Sequence, residues 1–277
     1  MSLFKKDYSN LTKEELTALE EYDKADQNGK DTPIKGIKLL TRNDAIKQMK
    51  IILNYPFIKN FKSIFPNNHL NTYHLISNKL TYIKKLQDFI QLIDNQDISE
   101  RDILNFIRSE EAHFIISSAL NFTNFGHHDR YIYQEIPLPP NHQADFLVIG
   151  KNSDGFHFLL FELENPYKGI TTKDGSFGLT IRKGLSQIDD WKSWMDKNFT
   201  TLKNVLVKLK NPNLNLPTEF YEYDNTRFHY VVVAGRRENF SEKTYRLSRT
   251  LKQQGTIVIH YDNLIDETKK LIESGRY

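Results

Sequence analysis

Residues 143–166 read QADFLVIGKNSDGFHFLLFELENP and decide the fold of the surrounding chain. Two apolar stretches, 144–149 and 156–164, contain the aromatic and β-branched residues that favour strands. The segment between them, 150–155, has two glycines, an asparagine and an aspartate, which is typical of a tight turn. The stretch therefore predicts two antiparallel strands joined as a hairpin.

Three carboxylates lie in this otherwise apolar hairpin: Asp145 near its start, and Glu162 and Glu164 near its end. Because side chains alternate along a strand, both glutamates are on the same face. A turn at 154–155 places Asp145 opposite Glu164, whereas a turn at 153–154 places it opposite Glu162. In both registers all three acids share one face. Opposed strand residues have Cβ atoms about 5 Å apart, which a divalent cation can bridge. The alternative is that the strands end in water and the acids are solvated.

Helical and strand-like spacings alternate outside the hairpin. A capping box at Ser99 and Asp102 starts a helix that is predicted to run to about residue 121. The later spacing predicts, in order, a strand at 131–138, the hairpin, a helix at 179–197, a strand at 227–234, a helix at 242–254, a strand at 256–261 and a final helix at 262–273. The expected fold class is α/β, with a sheet flanked by helices at residues 99–277. Residues 1–98 are predicted to form a mainly helical region.

The composition excludes several kinds of site. The chain has 277 residues and is 39% hydrophobic, which is enough for a sizeable core. It has no cysteine, so disulfides, thiolate zinc sites and cysteine nucleophiles are excluded, and any metal must have oxygen or imidazole ligands. The net charge of +3 is too small to indicate a nucleic-acid partner by itself. Short apolar runs and the lack of a signal-peptide pattern predict a cytoplasmic protein with no membrane partner.

A further acid is predicted to face inward from the helix before the hairpin. On a helical wheel Glu111 lies within the apolar stripe that includes Leu104, Ile107 and Phe114. It either joins a site shared with the hairpin acids, or it extends along the surface to reach water.

The helix after the hairpin carries Lys183, Gln187 and Trp191 at four-residue spacing, which places them on one face. If Lys183 and Gln187 face the acids, they add a cation and an amide to the site. The alternative is an amphipathic helix that only contributes Trp191 and Ile188 to the core.

The order of these acids, strands and helices resembles the PD-(D/E)xK nuclease superfamily, including its Q-x-x-x-Y subgroup. More narrowly, five short motifs resemble the nuclease domain of Shedu bacterial anti-phage defence proteins: Ala144-Asp145-Phe146, Phe161-Glu162-Leu163-Glu164-Asn165-Pro166, Leu185-Ser186-Gln187-Ile188-Asp189-Asp190-Trp191, Ala234-Gly235-Arg236-Arg237 and His260-Tyr261-Asp262-Asn263-Leu264. The resemblance covers roughly residues 101–277. The order of the motifs makes the set more specific than any one of them.

The resemblance implies a restriction-endonuclease-like mixed sheet and a DNA endonuclease that requires Mg²⁺ or Mn²⁺ and acts in anti-phage defence as a homo-oligomer. Asp145 and Glu162 are expected to bind the metal, and Glu111 a second ion or a water on it. Basic residues around the site are expected to bind DNA phosphates: Lys168, Lys173, Arg182, Arg236 and Arg237. Residues 1–98 are expected to form an accessory region that binds a phage or host trigger.

One residue departs from the superfamily pattern. Glu164 stands where these nucleases usually have a lysine, and a carboxylate cannot offset phosphate charge. In one explanation Lys183 supplies the cation from the next helix, Gln187 orients it or the phosphate, and Glu164 becomes a further metal ligand. In the other the site has lost hydrolysis, and the protein is an inactive nuclease fold that binds DNA or serves as a sensor or assembly protein.

Overall fold

The computed structural model describes residues 2–27, 30–31, 38–123 and 125–277. The N-terminal part is mainly helical, as the sequence predicts. Its elements are α1 (Lys13–Gln27), the two-residue strands β1 (Lys30–Asp31) and β2 (Lys38–Leu39), α2 (Arg42–Asn54), α3 (Phe57–Phe61), α4 (Thr72–Ser77) and α5 (Lys79–Ile93).

The remaining elements follow the predicted order. They are α6 (Glu100–Ser109), α7 (His113–Ser117), β3 (Arg130–Leu138), β4 (His142–Asn152), β5 (Gly155–Leu163), α8 (Leu179–Leu209), β6 (Phe228–Val233), α9 (Glu242–Lys252), β7 (Thr256–Ile259) and α10 (Tyr261–Ser274). Helix α8 continues well past the predicted end at residue 197, because Phe199, Leu202 and Leu206 keep its buried stripe going.

Strands β3 to β7 form one mixed sheet in sequence order. The first three pair antiparallel, and β6 and β7 add in parallel to β5. Parallel neighbours need a crossover connection, which α8 supplies between β5 and β6 and α9 between β6 and β7. The predicted α/β class with a mixed sheet flanked by helices is confirmed.

Helices cover both faces of this sheet. On one face Trp191 of α8 packs in the same core as Leu147 and Leu160 of the hairpin. On the other face Phe146 and Phe161 share a core with residues of α5, α7 and α10. Because both faces are buried, the central strands are nearly continuous apolar runs, and polar residues within them stand out.

The predicted helix from residue 99 to about residue 121 is broken. The capping box at Ser99 and Asp102 starts α6 as expected, but α6 ends at Ser109. Glu111 then adopts φ 51°, in the left-handed region, before α7 begins at His113. The prediction of one continuous helix, on which the helical wheel for Glu111 depends, is therefore wrong after Ser109.

The boundary predicted between residues 98 and 99 stays a prediction. Helix α5 lies before it and packs in the core of the sheet, through residues such as Phe89. A separate apolar cluster holds α1, α2 and α3 together. None of the helices in the described ranges combines the length and apolar character that crossing a membrane requires.

Candidate active site

Asp145 and Glu162 meet where the hairpin ladder ends. The turn lies at Ser153–Asp154, since Asn152 pairs with Gly155, so the observed register is the one that sets Asp145 opposite Glu162. The backbone N–H of Leu163 donates to Oδ2 of Asp145 over 2.7 Å. The side chain of Asp145 thus accepts a hydrogen bond from the backbone of β5, just past Phe146 and Phe161, the last residues that pair at this end of the hairpin.

The two carboxyl groups are held in a low-dielectric environment. Glu162 is only 3% exposed, and burial, followed by the charges of Asp145 and Glu164, raises its pKa to about 10. Burial also raises the pKa of Asp145 to about 7, against the hydrogen bond from Leu163. No described lysine, arginine or histidine forms an ion pair with either group. At neutral pH Glu162 therefore retains its proton, whereas Asp145 is close to its own pKa.

The third hairpin acid, Glu164, has a cation beside it. Nζ of Lys183 lies 3.0 Å from its Oε2 and 3.8 Å from Oε2 of Glu100. Glu164 is 3% exposed, and its other oxygen, Oε1, is buried with no hydrogen-bond partner. Burial raises the pKa of Glu164 even though Lys183 opposes the shift. A buried carboxylate oxygen without a partner leaves one coordination position free for a further cation or donor.

Gly184 lets α8 approach these acids. A Cβ at this position would lie 2.8 Å from Cγ1 of Val232 and 3.3 Å from Cγ of Glu164, both of which are too close. The lack of a side chain at Gly184 therefore allows its neighbour Lys183 to reach the end of β5.

The acids open into a cleft of about 660 Å³ between α6, the hairpin and α8. The predicted residues Asp145, Glu162, Lys183 and Gln187 all line it, whereas Trp191 is fully buried in the core. Other side chains, which were assigned no role from the sequence, also line it: Glu100, Arg101, Glu135, His142, Ser186 and Asp190.

Two of the missed acids differ in their partners. Glu135 forms ion pairs with Arg101 at 2.7 Å and with Arg108, so its charge is balanced locally. Glu100 begins α6, and its charge raises the pKa of Asp145 and of Glu162, which places it near both. Glu100 lies one helical turn before Leu104, which also lines the cleft, and this spacing could have predicted that Glu100 faces the site.

Glu111 lies elsewhere. Its carboxylate pairs with Nζ of Lys5 at 3.3 Å, and its charge acts on His74 and Tyr82 in the N-terminal half. Glu100 and Glu111 are three helical turns apart on the same wheel stripe, about 16 Å along an ideal helix. The helical wheel predicts the correct face of the helix, but the acid on that face that lies near the hairpin is Glu100, not Glu111.

The described side chains do not enclose a metal by themselves, since no three Asp, Glu or His groups among them converge into one ligand set. Mg²⁺ is usually held by one or two carboxylates, with waters and substrate phosphates completing its shell. Asp145 and Glu162, side by side and without an ion pair, fit that mode.

The predicted DNA-binding residues fall into two groups. Lys168, Lys173 and Arg182 are exposed on the loop before α8 and on its first turn. Arg236 is instead held by Asp262 at 2.9 Å and by Asp94 at 2.9 Å, and Arg237 pairs with Asp266. Phosphate binding by Arg236 or Arg237 stays a prediction that would require an exchange of these partners.

In a comparison with known protein families, the chain matches the family described as Shedu protein SduA, C-terminal, over residues 43–265. A search of curated proteins finds no match. The matched range includes the hairpin, α6, α8 and every cleft residue named above.

Proposed function

Since the chain belongs to the family described as Shedu protein SduA, C-terminal, which implies a role in anti-phage defence, we propose that it is a metal-dependent DNA endonuclease of the bacterial cytoplasm. The observation that carries the proposal is the pair Asp145 and Glu162. They lie at an open cleft, Glu162 buried and Asp145 partly buried, and neither forms an ion pair with a described lysine, arginine or histidine.

The pair is costly to maintain without a ligand. Two carboxyls that approach each other at the rim of an apolar core lose hydration and repel when charged. A well-packed hydrophobic pair would stabilise the fold more. A site that takes up a divalent cation gives a physical reason for the arrangement, because the cation replaces the protons.

We assign the cation to Asp145 and Glu162, with waters and a substrate phosphate completing its shell. Glu100, rather than Glu111, would bind one of those waters, and Glu164 stays paired with Lys183. Bound Mg²⁺ or Mn²⁺ would polarise the phosphodiester and activate the water that attacks it. The open side of the cleft leaves room for a phosphate and for water.

Lys183 has two roles in this proposal. Its ammonium group donates to Glu164 and holds it in place, and its remaining N–H donors would stabilise the charge that grows on phosphate during cleavage. The side chain is 58% exposed, so a DNA phosphate can reach it. Gln187, one turn further along α8, lines the same cleft and would orient Lys183 or the phosphate by hydrogen bonding.

DNA would approach from the side of the loop before α8. Lys168, Lys173 and Arg182 are exposed there and would bind backbone phosphates without reading sequence. Residues 1–98 would bind the phage or host trigger, and the protein would act as a homo-oligomer.

A supercoiled-plasmid assay in Mg²⁺ or Mn²⁺ tests the function. The parent should convert the plasmid to nicked or linear DNA, and Asp145→Asn should reduce the rate at least a hundredfold. Asp189→Asn is the matched control, because Asp189 is exposed on α8 outside the cleft. Equal rates for parent and Asp145→Asn would refute the assignment, and an inactive parent would favour the DNA-binding or sensor alternative.

A further inference from the structure

A second cavity, of about 530 Å³, lies at the start of β3, where the segment before α4 meets the turn that leads into the sheet. We call it the β3-entry cavity, and the lining residues that matter here are Lys59, His69, Thr72, Asp129, Arg130 and Arg276. The proposed nuclease site does not use any of them.

Arg130 is the central feature of this cavity. It is only 8% exposed, yet its guanidinium group forms no ion pair within the described residues, and Asp129 acts on it only through its charge. Its hydrogen bonds are long: 3.3 Å from Nη1 to Oγ1 of Thr72 and 3.4 Å from Nη2 to the carbonyl of His128. Its Nε is buried without a partner. A buried guanidinium group with so few acceptors is unfavourable unless an anion joins it.

The surroundings add positive charge. Lys59 and Arg276 also line the cavity, and Asp129 is the one acidic side chain among its described lining residues. Burial, followed by the charges of Arg130 and Lys59, lowers the pKa of His69 to about 3. Nδ1 of His69 is a second buried polar atom without a partner. The local potential is therefore positive, and unused hydrogen-bonding groups are present.

The cavity is separate from the carboxylate cleft. Arg130 pairs with Gly150, which lies five residues along β4 from Asp145, a separation of roughly 17 Å at the rise of a strand. The ring of Tyr277 covers the guanidinium group, with 5.3 Å between its centroid and Cζ. The backbone of a DNA duplex would touch the rim of such a cavity, whereas a small anion can enter it.

We propose that the β3-entry cavity binds a small phosphate-bearing molecule, a nucleotide or inorganic phosphate, whose phosphate group is held by Arg130 with Lys59 and Arg276 at the rim. A guanidinium group binds phosphate oxygens through two parallel hydrogen bonds, and Nη1 and Nη2, whose present bonds are long, would supply them here. The volume exceeds what a phosphate ion needs and falls in the range of nucleotide-sized ligands, which favours the nucleotide.

A ligand bound in the β3-entry cavity would also affect the contact between the segment before α4 and strand β3. The N–H of Leu70 donates to the carbonyl of Arg130 at 3.0 Å, and His69 pairs with Tyr131 as an isolated bridge. A ligand that contacts Arg130 and Lys59 together would tighten this contact, and β3 continues from it to Glu135 in the carboxylate cleft.

The test is a binding measurement that needs no cleavage. Thermal unfolding and calorimetric titration of the full chain are run in EDTA, so that the carboxylate cleft takes up no nucleotide through a metal. The probes are ATP, AMP, inorganic phosphate and a 20-base-pair DNA duplex. The variants are Arg130→Gln and Lys59→Gln. Arg249→Gln, in an exposed ion pair on α9, is the control.

At least one nucleotide should raise the Tm of the parent by about 2 °C or more at saturation and bind more tightly than inorganic phosphate. Arg130→Gln should weaken that binding at least tenfold and Lys59→Gln severalfold, with Arg249→Gln unchanged. If Arg130→Gln does not fold, Lys59→Gln decides the question. The proposal is overturned if neither nucleotide nor phosphate stabilises the parent, if the cavity variants bind like the parent, or if only the duplex binding depends on them.

Discussion

Nζ of Lys183 on α8 lies 3.0 Å from Oε2 of Glu164 at the end of β5. Glu164 occupies the position where the resemblance predicts a lysine, and Lys183 is the residue proposed to replace that lysine. The two residues therefore form an ion pair with each other. The two residues are 19 positions apart in the chain and are brought together by the close packing at Gly184.

Because of this ion pair, we expect that stability and DNA cleavage respond differently to substitutions of Lys183 and Glu164. Lys183→Met should abolish nicking and also destabilise the fold by about 1 kcal/mol, because Glu164 loses its partner while Lys183 itself is more than half exposed. The double variant Lys183→Met/Glu164→Gln should regain the stability but not the activity. Urea unfolding and the plasmid assay measure the two effects.

Glu164→Gln alone completes the double-mutant cycle, and stability losses of the two single variants that simply add in the double variant would mean that the two groups are not coupled. Normal nicking by Lys183→Met would show that the cation for phosphate comes from another residue, even if Asp145 and Glu162 bind metal.

Glu100 and Glu111 give a matched pair of predictions. Glu100→Gln should slow nicking at least tenfold, because Glu100 lines the cleft beside Asp145. Glu111→Gln should leave the rate unchanged, since it loses only the ion pair with Lys5. Initial rates at saturating Mg²⁺ compare them. A rate loss in Glu111→Gln alone would restore the assignment made from the helical wheel.

The reason that the wheel misplaced the helix acid is tertiary. No glycine, proline or asparagine marks a break between Ser109 and His113. The chain turns there with Glu111 at positive φ, where Lys85 binds the carbonyl of Glu110 and Lys5 binds Glu111. Both lysines lie in the N-terminal half, so a local pattern cannot predict the break.

The hairpin was predictable in a different way. Alternation predicts both strands and the shared face of the acids but leaves two registers open. The observed turn at Ser153–Asp154 is held by contacts of Asp154 with His157 and with Arg227, which follows some 70 residues later. The remote contact decides the register, and the register decides that Glu162, not Glu164, faces Asp145.

Glu162 predicts a pH-dependent stability in EDTA. Its folded pKa of about 10 lies above the ordinary value of 4.5, so folding takes up a proton between these values and the stability of the parent falls as pH rises. Glu162→Gln lacks this proton uptake. It should therefore be more stable than the parent by about 1–3 kcal/mol at pH 8.5, with a difference near zero at pH 4.5.

Urea unfolding at the two pH values measures this difference, and Glu222→Gln, an exposed glutamate, is the control that should show none. A difference between Glu162→Gln and the parent that does not change with pH would mean that the carboxyl group is not held protonated in the folded state.

At Gly184 we expect substitution by alanine to change the stability in the direction opposite to that predicted by helix propensity. Alanine is about 1 kcal/mol better than glycine inside a helix, yet Gly184→Ala should destabilise the protein by about 1–3 kcal/mol. The reason is the 2.8 Å approach of the new Cβ to Cγ1 of Val232. Ser193→Ala, at an exposed position of the same helix, should be neutral or stabilising. A stabilising Gly184→Ala would mean that α8 is not held against β6 as described.

The most direct measurement of the central claim is calorimetric titration of Mn²⁺ into the full chain at pH 8, without DNA. The parent should bind at least one Mn²⁺ and release a proton, because the cation displaces the proton that Glu162, with its pKa of about 10, retains at pH 8. Asp145→Asn and Glu162→Gln should each weaken that binding at least tenfold, and Asp189→Asn should bind like the parent. Undiminished Mn²⁺ binding by both cleft variants, or no binding by the parent, would contradict a metal site built on these two carboxylates.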